Sequence, residues 1–126
     1  MPGIGAIKAL VIEDDPLFTK LVTSMLQTRG CAVLGAASAE EGIEALKAHQ
    51  FDVVITDLNM EGMGGIGLIR SVIGDQSFPI TRILVITGEP ANSADSSWVV
   101  SQNISILRKP FGLKSLLAAV DTIVQS

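Results

Sequence analysis

Short apolar runs alternate along this chain with stretches whose apolar residues recur every three or four positions. The runs at residues 9–12, 31–36, 53–56 (with Phe51 just ahead), 82–86 and 104–107 are too short for helices and rich in Val and Ile, so they predict five strands. Helical spacing fills the gaps. Asp15-Pro16 reads as an N-cap with proline at the first helical position, followed by Phe18, Leu21, Val22, Met25 and Leu26 on one face and a stop at Gly30. Ser38 and Glu41 form a capping box for a second helix running through about His49. Beyond Gly65, Ile66, Ile69, Val72 and Ile73 predict a third, broken by Gly74 and Phe78-Pro79. Residues 90–102 are rich in Ser, Ala and Asn and support a helix only over about 93–101. The last helix carries Leu113, Leu116, Leu117, Val120, Ile123 and Val124 at i, i+3, i+4, i+7 spacing.

Strands that alternate with amphipathic helices imply an α/β fold with a parallel sheet covered on both faces, because each crossover packs back with the same hand. With no internal repeat or linker, residues 1–126 are expected to form a single domain, loose over about 1–6. Ligands of open α/β sheets sit outside the carboxyl ends of the strands. Four of these strands end on chemically useful side chains: Glu13 and Asp14, Asp57, Thr87, and Lys109. The sheet brings all five to one rim.

Composition narrows the function. Although 48% of the residues are hydrophobic, no run reaches the roughly 18 that span a bilayer, and the opening residues MPGIGAIK predict no secretory signal. No membrane association is expected. The single cysteine, Cys31, suits a reducing compartment, so a cytoplasmic location is expected. Thirteen acidic residues against nine scattered basic ones, with one Trp, four Phe and no Tyr, argue against direct nucleic-acid binding.

Three carboxylates on one rim repel unless a cation sits among them. Mg²⁺ prefers oxygen ligands and needs only one or two carboxylates, whereas one His and one Cys far apart do not make a zinc site. Asp57 is also a candidate nucleophile, since carboxylates attack phosphorus to give acyl phosphates. Lys109 would neutralise the transferred charge, Thr87 would donate a hydrogen bond, and Gly88 would leave the approach open. Taken singly, Asp57 is a strand-end turn residue, Asp14 a solvated charge, Lys109 a surface cation and Thr87 a backbone-bonded hydroxyl. Their joint placement is what points to a site.

In this order and at these separations, Glu13-Asp14, Asp57, Thr87-Gly88 and Lys109-Pro110-Phe111 resemble the receiver domain of two-component response regulators over essentially the whole chain. The resemblance implies a flavodoxin-like doubly wound sheet of five strands in the order 2-1-3-4-5 with five helices. It implies Asp57 as phosphoacceptor, with Mg²⁺ held by Asp14, Asp57 and the main-chain carbonyl of Asn59, and by Glu13 mostly through water. Thr87 would swing to the phosphoryl group, Lys109 would hold it, and the Lys109-Pro110 bond would be cis. Asn59 and Glu89 would flank the water that hydrolyses the acyl phosphate. Implied partners are a histidine kinase or histidine phosphotransfer protein upstream, and a protein target or attached output domain downstream. Such a domain catalyses only its own phosphorylation and dephosphorylation.

Three positions depart from that pattern. Glu61 stands where the family more often has Pro, Gly64 where it has Asp, and Ile106 where many relatives carry Tyr or Phe. Ile106 has few rotamers and no polar tip, so switching through Thr87 and position 106 would have to use other parts of the face from strand four to helix five. The rival readings are a receiver-like binding module that takes no phosphate, a haloacid-dehalogenase-type phosphatase, and a flavodoxin-like cofactor binder. The second would want an acid where Asn59 stands; the third would meet repulsion from Glu13-Asp14-Asp15. No output domain is expected within the chain, and both a stand-alone regulator and part of a larger regulator or hybrid kinase stay open.

Overall fold

The computed structural model describes residues 6–125. Apart from Ala6, the N-terminal stretch expected to be loose lies outside the described residues. The elements follow as β1 (Lys8–Ile12), α1 (Pro16–Gln27), β2 (Ala32–Ala36), α2 (Ala39–Ala48), β3 (Val53–Asp57), α3 (Gly64–Asp75), β4 (Ile83–Thr87), α4 (Ala94–Ser101), β5 (Ser105–Arg108) and α5 (Leu113–Gln125), with a short 3-10 turn at Ile80–Arg82 before β4. All five strands are parallel, in the order β2-β1-β3-β4-β5.

Strand alternation divides the core between the two faces of the sheet. Leu10, Ile12, Val54, Ile83 and Val85 pack with Leu68, Ile69 and Val72 of α3, Ala39 of α2 and Val99 of α4. On the other face Ala9, Val11, Val53, Ile55, Leu84 and Ile86 meet Val22 and Leu26 of α1 and Leu116, Val120 and Ile123 of α5. β3 and β4 are buried along their whole length. Each side chain as large as Leu84 or Ile55 that is fully buried stabilises the fold by about 1.5–3 kcal/mol relative to exposure. The two strands that end on Asp57 and Thr87 are therefore held from both sides, and their ends are rigid platforms.

The caps read at Asp15 and Ser38 form, and Ser93 adds a third. Asp15 Oδ1 accepts from the Leu17 N–H at 3.0 Å, Ser38 Oγ from Glu41 at 3.1 Å and Ser93 Oγ from Ser96 at 3.0 Å. Some local expectations shift. α3 continues through Gly74 and stops at Gln76, which takes the left-handed conformation (φ 51°), because a helical glycine costs about 1 kcal/mol against alanine without ending the helix. β5 starts one residue later than expected, since Asn103 at φ 62° turns the chain and pairing with β4 begins at Ser105. On α1, Leu21 is 48% exposed and lies outside the buried stripe of Val22 and Leu26. Cys31 is buried against Val22 and Leu26, and burial pushes its thiol above its ordinary pKa.

Candidate functional site

The strand order sets the site. β1, β3 and β4 are neighbours, so Glu13, Asp57 and Thr87 emerge side by side at one edge of the sheet, with register pairing Ile12 to Thr56 and Asp57 to Ile86. Lys109 follows β5, two strand spacings of about 4.8 Å from β3, a gap that a lysine side chain is long enough to help close. Its Nζ lies 2.8 Å from Asp57 Oδ2 and 3.8 Å from Glu13 Oε1. The Lys109-Pro110 bond is cis, as the resemblance implied.

Backbone donors fix the acids. Glu13 Oε2 accepts from the N–H groups of Asp14 and Asp15 at 2.9 and 3.3 Å. Asp57 Oδ1 accepts from Asn59 N–H at 2.9 Å, which closes the turn after β3. Asp14 is exposed, and its Oδ2 receives the Glu61 N–H at 3.3 Å. Thr87 is fully buried; its Oγ1 accepts from Glu89 N–H at 2.9 Å, so the hydroxyl is engaged in its own turn in this state. A β-carbon at Gly88 would meet nothing within 4 Å, which leaves that flank open. Ile106 is half-buried against the α3 and α4 core.

Two side chains beside the site are not evident from sequence pattern alone. The Lys109 ammonium lies 4.2 Å from the centroid of the Phe18 ring, which in turn meets Phe111 edge-on at 6.0 Å. Such a contact attracts the cation by about 0.5–1 kcal/mol in partly exposed surroundings. Arg108 donates from Nη1 to the Glu89 carbonyl at 2.8 Å and reaches Ser96 Oγ at 3.5 Å. The period of two along β5 is the available signal for Arg108, since it puts residues 106 and 108 on the same face. Phe18 has only its place in the first turn after β1, a signal shared with any core residue.

A model of the response regulator receiver domain matches residues 9–121. The chain belongs to the response regulator receiver domain family. Among curated relatives of this receiver domain is the heme response regulator HssR of Staphylococcus aureus, 25% identical over 119 residues. That alignment covers 94% of the present chain and 52% of HssR, so the chain spans about half the length of the curated relatives it matches. The chemotaxis protein CheY4 of Vibrio cholerae superposes with a TM-score of 0.84 at 27% identity, covering 94% of this chain and 99% of that one. The receiver domain of the sensor histidine kinase PA1611 of Pseudomonas aeruginosa has the same fold, with a TM-score of 0.86 at 19% identity over 97% of this chain and all of that one; its structure is described with a magnesium ion coordinated in the active-site cleft. Among the described residues no helix is long and apolar enough to cross a membrane.

Electrostatics of the receiver domain centre on Glu13. Burial and the Asp57 carboxylate beside it push its carboxyl up to about 8, against the pull of the Asp15 N–H. Among the described residues no group of three or more His, Cys, Asp and Glu side chains forms a ready metal cage. The donors at the rim nonetheless suit Mg²⁺ in kind. They are hard oxygens crowded enough to favour a cation, and Mg²⁺ asks for one or two carboxylates and keeps several waters.

A pH dependence follows from the Glu13 shift. Between the ordinary carboxyl range and about 8, the folded protein holds a proton that the unfolded chain releases, so stability falls as pH rises through that window. Denaturant midpoints measured from pH 5 to 9 are expected to decline for the parent and to flatten for Glu13→Gln. An equal decline in both would assign the effect elsewhere.

Proposed function

We propose that Asp57 is the phosphoacceptor of this receiver domain in a two-component phosphorelay. The observation that carries the reading is Asp57 Oδ2 bonded to Lys109 Nζ at 2.8 Å, at the end of a fully buried strand and beside the Thr87 turn. In transfer from a phosphohistidine, a carboxylate oxygen of Asp57 attacks phosphorus, the P–N bond breaks, and its electron pair leaves with the imidazole nitrogen. Lys109 then offsets the charge of the phosphoryl oxygens, held in place by Asp57, Glu13 and the Phe18 ring. Thr87 keeps its own proton free to donate while it accepts from Glu89, so turning toward the phosphoryl group exchanges one hydrogen bond for another.

Mg²⁺ would be held by Asp14, Asp57 and the Asn59 carbonyl, with Glu13 through water, and would supply charge neutralisation at the phosphoryl oxygens. The magnesium described for the PA1611 receiver supports this choice of metal. Partners would be a histidine kinase or histidine phosphotransfer protein that donates the group, and a protein target or output domain that reads the result. The chain would turn over no separate substrate.

Intact mass and peptide mapping after acetyl phosphate with Mg²⁺ test this reading directly. One added phosphoryl group on Asp57 is the expected result; its absence under conditions that label a known receiver would overturn the assignment. Asn59 and Glu89, which flank the site, are proposed to orient the water that hydrolyses the acyl phosphate. Dephosphorylation in Mg²⁺ should therefore proceed on its own well within hours and slow in Asn59→Leu, and a phosphoprotein that persists for many hours counts against the role.

A further inference from the structure

Ile106 leaves this receiver domain without a polar or aromatic side chain at the position on β5 that faces α4. The residue two places on, along the same face, is Arg108. It is half-buried, and its guanidinium joins three elements: β5, which carries it, the β4–α4 loop through the Glu89 carbonyl at 2.8 Å, and α4 through Ser96 Oγ at 3.5 Å. Ser96 has no exposed surface, and its N–H is the one capped by Ser93, so Arg108 touches α4 at its first turn. Glu89 is the residue whose N–H holds the Thr87 hydroxyl at 2.9 Å. A continuous path of hydrogen bonds thus runs from Thr87 through the Glu89 main chain to Arg108 and on to α4.

We propose that Arg108 is a positioning residue that couples the Thr87 hydroxyl to helix α4 through the Glu89 main chain. The inference rests on the reading of Asp57 as phosphoacceptor. A phosphoryl group on Asp57 offers the Thr87 hydroxyl strong acceptor oxygens, and turning toward them gives up the Glu89 N–H. Glu89 donates from its N–H on one side and accepts at its carbonyl on the other, so a loop that moves when the first bond breaks displaces the acceptor of the second. The planar guanidinium answers such a displacement as a unit, because its N–H groups point in fixed directions. Moving the Glu89 carbonyl therefore draws the guanidinium relative to Ser96, and α4 receives the change. The same geometry explains how position 106 can be aliphatic here: the polar link that Ile106 cannot make is supplied two residues later from the same strand face.

A simpler role is available, in which Arg108 only ties down a loop. The two roles separate in the response of α4. Amide exchange over residues 89–101 is to be measured with and without beryllofluoride and Mg²⁺ in the parent, Arg108→Met, Arg108→Lys and Ser96→Ala. In the parent, beryllofluoride should change protection in α4. In Arg108→Met, protection of the loop and first turn of α4 should fall about tenfold or more at rest, as loss of a hydrogen bond from a charged donor implies, and the α4 response should vanish while beryllofluoride still occupies Asp57. Lysine, with a donor but no fork, should restore part of the response.

An α4 response in Arg108→Met equal to that of the parent would overturn the coupling, even if the resting loop were looser. So would a parent in which α4 does not respond. Should Arg108→Met fail to fold, Ser96→Ala removes the α4 end of the path alone, and an undiminished response there has the same meaning. If the parent takes no beryllofluoride at Asp57, the phosphoacceptor reading falls, and the resting exchange of Arg108→Met still tests whether the residue holds the loop.

Discussion

Replacing Asp57 by Asn is expected to abolish labelling by acetyl phosphate, measured as loss of the added phosphoryl mass under conditions that label the parent. The amide keeps the size and planarity of the carboxylate but has no anionic oxygen to attack phosphorus. Glu13 and Asp14 do not take over the role in this geometry. Glu13 is 5% exposed with one oxygen held by two N–H groups, and Asp14 stands in solvent away from Lys109's hydrogen bonds. The fold should survive the change. Burial is the main reason that Glu13 is pushed up to about 8, and removing the Asp57 charge relieves the part that Asp57 adds, while Lys109 keeps Glu13 and the Phe18 ring as partners. The melting temperature of Asp57→Asn should therefore match or exceed that of the parent at neutral pH. Full labelling of this variant, or labelling transferred to Glu13, would remove Asp57 from the centre of the mechanism.

The second large effect concerns stability. A β-carbon at Gly65 would collide with the carbonyl oxygen of Asp57 and lie 2.9 Å from the Leu58 Cα, both main-chain atoms that no rotamer change can move aside. Gly65 also donates its N–H to the Leu58 carbonyl at 3.3 Å, so the first turn of α3 lies directly on the end of β3. Gly65→Ala must push helix and strand apart, and it is expected to cost about 3 kcal/mol and lower the melting temperature by about 10 °C in a chain of this length. Gly88→Ala is the matching control. Its β-carbon meets nothing, and thermal unfolding should place it within about 0.5 kcal/mol of the parent. If the two variants melt alike, the close approach at Gly65 is not what holds the turn.

Much of this architecture is legible in the order of residues, and for local reasons. Val53–Asp57 and Ile83–Thr87 are buried on both faces, so their sequence is continuously apolar up to the polar residues that end them. The caps at Asp15 and Ser38 act within three residues of themselves. Where sequence pattern and structure part, the deciding influence is tertiary packing at one position and backbone conformation, which apolar spacing does not encode, at the others. Leu21 fits the helical stripe of α1, yet it stands outside the strip of α1 that the sheet and α5 cover. Gly74 has the character of a helix stop, but the backbone of α3 carries through it to Gln76. β5 begins late because Asn103 takes a left-handed turn that no apolar pattern encodes.

The candidate site divides in the same way. Residue order alone is enough to say which strands end in acids, which in Thr87 and which in Lys109, because a parallel sheet sends every strand's carboxyl end to one edge. It is enough to propose hard-oxygen chemistry as well, since three acids with one distant His and one distant Cys favour a hard cation over zinc. That Lys109 bonds Asp57 and rests against Phe18, that Thr87 is held by Glu89, and that Arg108 spans from Glu89 to Ser96 emerge only once the chain is packed. Backbone period governs where a side chain leaves its own element, and it is read from neighbours in sequence. Which partner that side chain finds depends on strand order and register, which bring together residues as far apart as Phe18 and Lys109.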